Sequence, residues 1–298
     1  MLATCLRADL LEYVPASIAV PTGASYLTAE GTIAVVGYND MAEMLEALTA
    51  RFTALHPGIH FALNLKGTKT AAPSLMRGES AFAPMGAEFS PNELAEYRAA
   101  THSVPRMFRV AHCSLDPRAL SGPLAIVVHP SNPATSISLP EISEILSGRS
   151  KRGLHPYGLL PETALGLMMR NRTLGGGPFA PGFKGFPQSR DVVDAVAADP
   201  LGIGFTAAMR ATAGVKVLAL SADLTTPPVP LTEENLRAGG YALDRFLLIY
   251  VRQPLEPVAA EFLRFVLSRE GQDIVAHGTL GYLPLNATEV EAERTKLY

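Results

Sequence analysis

The chain has 298 residues, 48% of them hydrophobic and 18% charged, with a formal charge of −3, a balance that suits a globular protein able to bury a good core in two lobes. That charge excludes the dense basic surface a nucleic-acid binder needs, and the one basic cluster, Arg149-Ser150-Lys151-Arg152, reads as a solvated turn. No apolar run reaches the roughly 18–20 residues that span a bilayer.

Residues 1–29, with Pro15, Pro21 and Gly23 among isolated apolar residues, read as an arm packed on the surface. Met1 to Pro21 lacks the regions of a signal peptide. Leu2-Ala3-Thr4-Cys5 is only faintly like the tail of a lipoprotein cleavage site, Thr4 being a poor residue before the cysteine. Cys5 and Cys113 are too far apart in sequence to establish a disulfide, and two thiols is the plainer reading.

Thr32 to Val36 form a short apolar run, the pattern of a strand buried on both faces. Gly37-Tyr38-Asn39-Asp40 interrupts it, and Asn39 or Asp40 can cap the next helix by accepting from its first N–H groups. Met41, Met44, Leu45, Leu48 and Phe52 recur at helical spacing. His56-Pro57-Gly58 stops that helix, and Ile59, Phe61 and Leu63 alternate as a second strand. Strand, helix and strand in this order predict a parallel pair joined by a right-handed crossover, the seed of an α/β domain.

A polar turn, Lys66-Gly67-Thr68-Lys69-Thr70, leads to a short helix over Ala71 to Gly78 and a third strand over Ser80 to Gly86. Ser90-Pro91-Asn92-Glu93 has the cap, early proline and glutamate of a helix start. Pro123 to Pro130 reads as a buried strand, and Leu139-Pro140-Glu141-Ile142 starts a helix that ends at Ser147-Gly148. Residues 151–190 are rich in Gly and Pro and read mostly as loop, apart from a helix entered at Thr163. Ser189 is expected to cap a helix over Arg190 to Ala198. Leu201 to Phe205 and Val215 to Leu220 read as buried strands, and Tyr241 to Val251 as one long apolar strand. Helices then follow over Pro257 to Leu267 and through Gln272 and Ala276.

Ligands of α/β sheets gather at the carboxyl ends of the strands, where helix N-termini point. Asn39 and Asp40 stand at such a point and can offer side chains and N–H groups to a ligand or merely cap the helix. Asp40 there repels an anion. Gly67-Thr68-Lys69-Thr70 is not a P-loop, because Ala62 stands where the motif needs its first Gly and Thr68 separates Gly67 from Lys69. What remains is a Gly turn with two hydroxyls and two ammonium groups, an oxyanion site or a solvated loop.

The other chemistry is sparse. His56 and His60 are four apart but Pro57-Gly58 breaks the helix between them, and Cys-x-x-Cys is absent, so no metal site is expected. No Gly-x-Ser-x-Gly elbow occurs and no nucleophile pairs with a base, so neither catalysis nor a cofactor is expected. Arg170 and Arg172 can hold an acidic group, but at i, i+2 they do not share a helix face.

The order of elements resembles the phosphate-type periplasmic solute-binding proteins of ABC transporters, over roughly Gly31 to Leu285. The stretches that carry the resemblance are Phe52-x3-His56-Pro57-Gly58-Ile59, Gly67-Thr68 with Gly78, and Val128-His129-Pro130 with Asn132-Pro133. Ser189-x2-Val192-Val193-x2-Val196 followed by Pro200-x-Gly202-Ile203-Gly204-Phe205 is a fourth. The most specific set is Tyr241-Ala242-Leu243-x-Arg245, Phe262-Leu263-x-Phe265-Val266-Leu267-Ser268-x-Glu270-Gly271-Gln272 and Gly281-Tyr282-Leu283-Pro284-Leu285.

The resemblance implies a type II periplasmic-binding-protein fold, two α/β lobes joined by hinge strands, with ligand in an interlobe cleft. The expected division is an arm at 1–29, lobe 1 at 30–125 and 246–298, and lobe 2 at 126–245. Carried over by position, the ligand turns of lobe 1 fall at Asn39, Asp40 and Met41, at Gly67, Thr68, Lys69 and Thr70, and at Met85, Gly86 and Ala87. That of lobe 2 falls at Pro161, Glu162 and Thr163. The family's Ser-Gly-Thr turn in lobe 2 keeps only Thr163. Tyr157 stands at the family's Arg, Leu159 at its Asp, and Gly86 at the Asp after the third strand. A missing Arg removes charge-assisted hydrogen bonds worth about 1.5–3 kcal/mol each, and Leu159, Leu160 and Met85 suggest a larger or less charged solute as competitor.

The resemblance therefore implies a periplasmic solute-binding protein, and the expectation is a monomer without cofactor and without affinity for nucleic acid. It would capture phosphate, another oxyanion or a small organic solute for an ABC permease. A ligand-sensing or accessory protein with the same fold and no transport role is the alternative.

Overall fold

The computed structural model describes residues 10–298, so Cys5 and the Leu2-Ala3-Thr4-Cys5 segment lie outside the described residues. The chain divides into two compact units, Met1–Cys113 with Phe246–Tyr298, and Ser114–Arg245.

The first unit begins with β1 (Ile33–Val36), a 3-10 turn at Asn39–Met41, α1 (Ala42–Leu55) and β2 (Phe61–Asn64). β1 and β2 pair in parallel, Ile33 opposite Phe61 and Val36 opposite Asn64, as the strand-helix-strand pattern requires. Met44, Leu45, Leu48, Thr49 and Phe52 make the buried face of α1. The boundary of the helix lies one residue later than expected. The chain enters α1 through the 3-10 turn, so the residues at the two boundaries are Tyr38 and Met41, and neither side chain makes a capping bond. α2 (Thr68–Arg77) starts three residues before Ala71, because Gly67 delivers the chain straight into the helix. β3 (Ala83–Met85), α3 (Pro91–Thr101) and β4 (Arg106–His112) follow, and Ser90 and Glu93 form the reciprocal capping box read from their spacing.

The second unit contains β5 (Leu124–Val128), β6 (Ser136–Ser138), α4 (Leu139–Leu146), β7 (His155–Leu159), α5 (Ala164–Leu174) and β8 (Lys184–Phe186). α6 (Ser189–Ala197), β9 (Gly202–Ala207), β10 (Lys216–Val217), β11 (Ala219–Ser221) and α7 (Glu233–Arg237) complete it. Its main sheet runs β10-β5-β9-β7-β8; β7 is parallel to both neighbours and β5, buried throughout, is antiparallel to both. Residues 151–190 hold β7, α5 and β8 and so are more regular than their composition predicts. The breakers Pro156 and Gly158 sit inside β7, where β9 and β8 flank them. Ser189 is the first residue of α6 and not its cap; its Oγ accepts instead from the Ala207 N–H at 3.3 Å.

The long strand expected over Tyr241 to Val251 is divided. The Leu124 N–H donates to the Leu243 carbonyl at 3.1 Å and the Tyr241 hydroxyl to the Leu124 carbonyl at 3.0 Å, which ties Tyr241–Arg245 to the second unit. β12 (Phe246–Val251) then returns to the first unit between β3 and β4, antiparallel to both. α8 (Pro257–Val266), α9 (Arg269–Ala276) and α10 (Ala287–Arg294) close the chain. The aromatic face of α8 finishes the first unit's core. Phe82 stacks on Phe262 with centroids 4.7 Å apart and Phe52 meets Phe262 edge-on at 5.4 Å, pairs that add about 0.5–1.5 kcal/mol each beyond area burial. Among the described residues no helix is long and apolar enough to cross a membrane.

The arm is fastened to this core through Tyr13. Its hydroxyl donates to Glu261 at 2.6 Å and lies 2.5 Å from Nε2 of His56, while its ring meets Phe265 edge-on at 5.1 Å. Burial lowers the His56 pKa below its ordinary 6.5 and the Glu261 carboxylate opposes that shift. A lowered pKa means that the unfolded chain holds the proton more tightly. His56 therefore contributes stability that is fully present above about pH 6.5 and fades as the pH falls below it. Urea midpoints measured at about pH 7.5 and about pH 5.5 are expected to fall with acidity, and to fall less in His56→Gln, by up to about 1.4 kcal/mol per pH unit for one proton. An identical slope in the variant contradicts this assignment.

Candidate functional site

In the first unit three strands end at one edge, and main-chain bonds join their turns. The Gly37 N–H donates to the Asn64 carbonyl at 3.3 Å, the Tyr38 N–H to the Pro84 carbonyl at 3.0 Å, and the Gly67 N–H to the Gly37 carbonyl at 2.9 Å. The exits of β1, β2 and β3 are thus held as one surface. Two glycines make it possible. A Cβ on Gly37 would sit 2.4 Å from the Pro84 carbonyl oxygen, and Gly67 has φ 115°, a backbone that side chains resist.

The predicted residues of this edge separate by what they offer. Thr70 closes the turn, its N–H and Oγ1 both donating to the Gly67 carbonyl at 3.1 and 2.8 Å. Thr68 and Lys69 form the first turn of α2, whose N-terminus carries no side-chain cap. Their main-chain N–H groups therefore point outward with the positive end of the helix dipole behind them. Lys69 is exposed and Thr68 half-buried. Asn39 is exposed, its Oδ1 3.9 Å from the point where a Cβ on Gly67 would stand. Met41 is fully buried, as is Met85, packed with Ala71, Leu75, Phe89, Leu248 and Tyr250. Those two methionines bring main chain, and not side chains, to the edge. Gly86 is buried and Ala87 half-buried.

Asp40 turns elsewhere. Its carboxylate accepts the hydroxyl of Tyr282, and burial together with that carboxylate pushes the Tyr282 pKa far above the ordinary range, so the phenol remains a donor. Sequence reading missed this pairing. Tyr282 stood out there only within the Gly281-Tyr282-Leu283-Pro284-Leu285 stretch, and nothing local links it to a residue 242 positions earlier.

In the second unit, β7 leads through Leu160 to Thr163 and into α5. Thr163 caps α5: Oγ1 accepts from the Gly166 N–H at 3.1 Å and donates to the Leu160 carbonyl at 2.8 Å. Glu162 beside it is exposed. Arg170 closes the far end of α5 on the carbonyls of Gly176 and Gly177 at 2.6 and 3.1 Å. Tyr157 donates to Asp199 at 2.8 Å, and Leu159 is buried. Among the described residues no group of three or more His, Cys, Asp and Glu could hold a metal ion.

The PBP superfamily domain, as a family, matches residues 22–270 of the chain. The phosphate-binding protein PstS of Pseudomonas aeruginosa is 29% identical over 286 residues, covering 88% of this chain and 85% of that protein. Among solved structures, PstS of Borrelia burgdorferi aligns with a TM-score of 0.56 at 15% identity, covering 86% of this chain and 99% of the other. An ABC-type phosphate transport receptor of Vibrio cholerae aligns with a TM-score of 0.55 at 18% identity, covering 84% and 99%. At these identities the structures speak for the fold.

The close approach at Gly37 sets a test. Gly37→Ala is expected to lower stability by about 1–3 kcal/mol, the usual cost of overpacking, because neither the Pro84 carbonyl nor β1 can withdraw. Gly182→Ala, where no atom stands within 4 Å, is the control, expected to move the urea midpoint little. Equal midpoints for the two variants contradict the tie between β1 and β3.

Proposed function

Since this chain belongs to the PBP superfamily, we propose that it is the periplasmic solute-binding receptor of an ABC importer and that its solute is a phosphate-like oxyanion. The observation that carries the oxyanion is the uncapped start of α2. A fixed helix N-terminus that presents free N–H groups beside an exposed lysine favours an anion through its donors and its dipole together. The Pseudomonas relative, named a phosphate-binding protein, supports the same class. The protein works as a monomer and without nucleic acid.

The competing case for an organic solute rested on Leu159, Leu160 and Met85. Leu159 and Met85 are buried in the core and offer no apolar lining, which leaves only the half-buried Leu160 of the three and favours the oxyanion. Glu162, exposed beside the Thr163 cap, favours a second reading, a sensing or accessory protein that binds no free oxyanion.

Calorimetric titration separates the two. Phosphate is expected to bind the wild type, and its saturation to raise the melting temperature. Proline is tolerated at the first position of a helix, so Thr68→Pro keeps α2 while deleting one N–H donor. That change is expected to weaken phosphate by about tenfold or more, the worth of a hydrogen bond to a charged group. Thr68→Ala, which keeps the N–H, is expected to lose less. Silence from phosphate, sulfate, arsenate and tungstate alike contradicts the oxyanion reading and favours the second.

A further inference from the structure

Asp40 presents a difficulty to any anion at this edge, since an unshielded carboxylate beside the α2 terminus opposes the charge the terminus attracts. The C-terminal segment of the first unit answers it. Glu43, three residues after Asp40, accepts the Thr279 N–H at 2.7 Å and its hydroxyl at 2.6 Å, and Asp40 accepts the hydroxyl of Tyr282. Two acids one turn apart at the start of α1 thus meet two hydroxyls three residues apart on one segment.

That segment cannot follow a mobile side chain, because it is fixed on both sides of Tyr282. Leu283 exchanges main-chain bonds with His112 at the end of β4, at 2.8 and 3.2 Å. The Leu285 N–H donates to the buried side chain of Gln272 at 2.8 Å. The Tyr282 ring is itself only 4% exposed. A rigidly presented, buried hydroxyl holds the Asp40 carboxylate, and Asp40 lines a small cavity with Met44, Val275, Gly278 and Leu280. Asn39, the neighbour, is left exposed beside Gly67.

We propose that Tyr282 is a positioning residue for anion specificity: by holding the Asp40 carboxylate turned into the first unit, it keeps that charge off the Gly67–Thr70 terminus and lets an oxyanion sit there. The proposal rests on the oxyanion reading above. It makes the two residues interdependent in binding though neither donates to the ligand.

Phosphate and sulfate titrations of the wild type, Tyr282→Phe, Asp40→Asn and the double variant test this. Tyr282→Phe keeps the buried ring and takes away the hydroxyl that the carboxylate accepts, and is expected to weaken phosphate by about tenfold, the effect of one like charge a few ångströms away in a partly screened site. Asp40→Asn alone is expected to change binding by less than about threefold, and the double variant to return to the Asp40→Asn value, since there is no longer a charge to hold. A merely structural role for Tyr282 gives no such rescue. Equal weakening in Tyr282→Phe and the double variant, or no weakening in either, overturns the proposal while the oxyanion reading stands. If Tyr282→Phe loses its cooperative melt, Asp40→Asn decides: more than about tenfold tighter phosphate means that Asp40 already faces the anion and overturns the proposal, and a change under about threefold supports it. A wild type that binds no oxyanion overturns both.

Discussion

The bond from the Gly67 N–H to the Gly37 carbonyl is the constraint on which the first unit's edge depends. It joins the exit of β1 to the entry of α2, and it exists because two positions have no side chain. One is Gly37, pressed against Pro84, and the other is Gly67, with its positive φ. A loop closed by a side chain would present the side chain's preferred geometry. A loop closed by main chain presents N–H groups in a geometry set by the sheet, which is what a small anion needs, since it has no shape of its own to be read. Preorganisation of this kind removes the ordering cost that binding otherwise meets.

Charge is handled by the same economy. The acids at the start of α1 suit the dipole of that helix, yet Asp40 also lies one residue from a side chain that reaches Gly67. Its carboxylate is taken by Tyr282 and that of Glu43 by Thr279. In the second unit Thr163 spends its hydroxyl on its own helix, accepting from Gly166 and donating to Leu160. Arg170, which the sequence offered as a holder of an acidic group, is held by two carbonyls and closes a helix instead.

Much of the fold was legible because its signals are local. The apolar run at Thr32 to Val36, the helical spacing of Met44 to Phe52 and the capping box at Ser90 and Glu93 each declare their element within a few residues. The errors came where tertiary contacts override local chemistry. Pro156 and Gly158 read as breakers but lie in β7, because flanking strands accept them. Tyr241 to Val251 read as one strand, yet hydrogen bonds to Leu124 draw its first half to the other unit. At the site, the turns were placed by position along the chain, but the work of each side chain was not legible. Met41 and Met85 are core, Thr70 closes its own turn, and the partner of Asp40 lies near the other end of the sequence.

The central claim is that an oxyanion sits on the main-chain N–H groups that open α2. Amide proton and nitrogen shifts of the protein, followed as phosphate is added, test it most directly. The account predicts saturable downfield shifts at Thr68 and Lys69, as hydrogen bonds to a charged acceptor form, with little change at the buried amides of β5. Binding without response at those two amides, or responses confined to another surface, would contradict it.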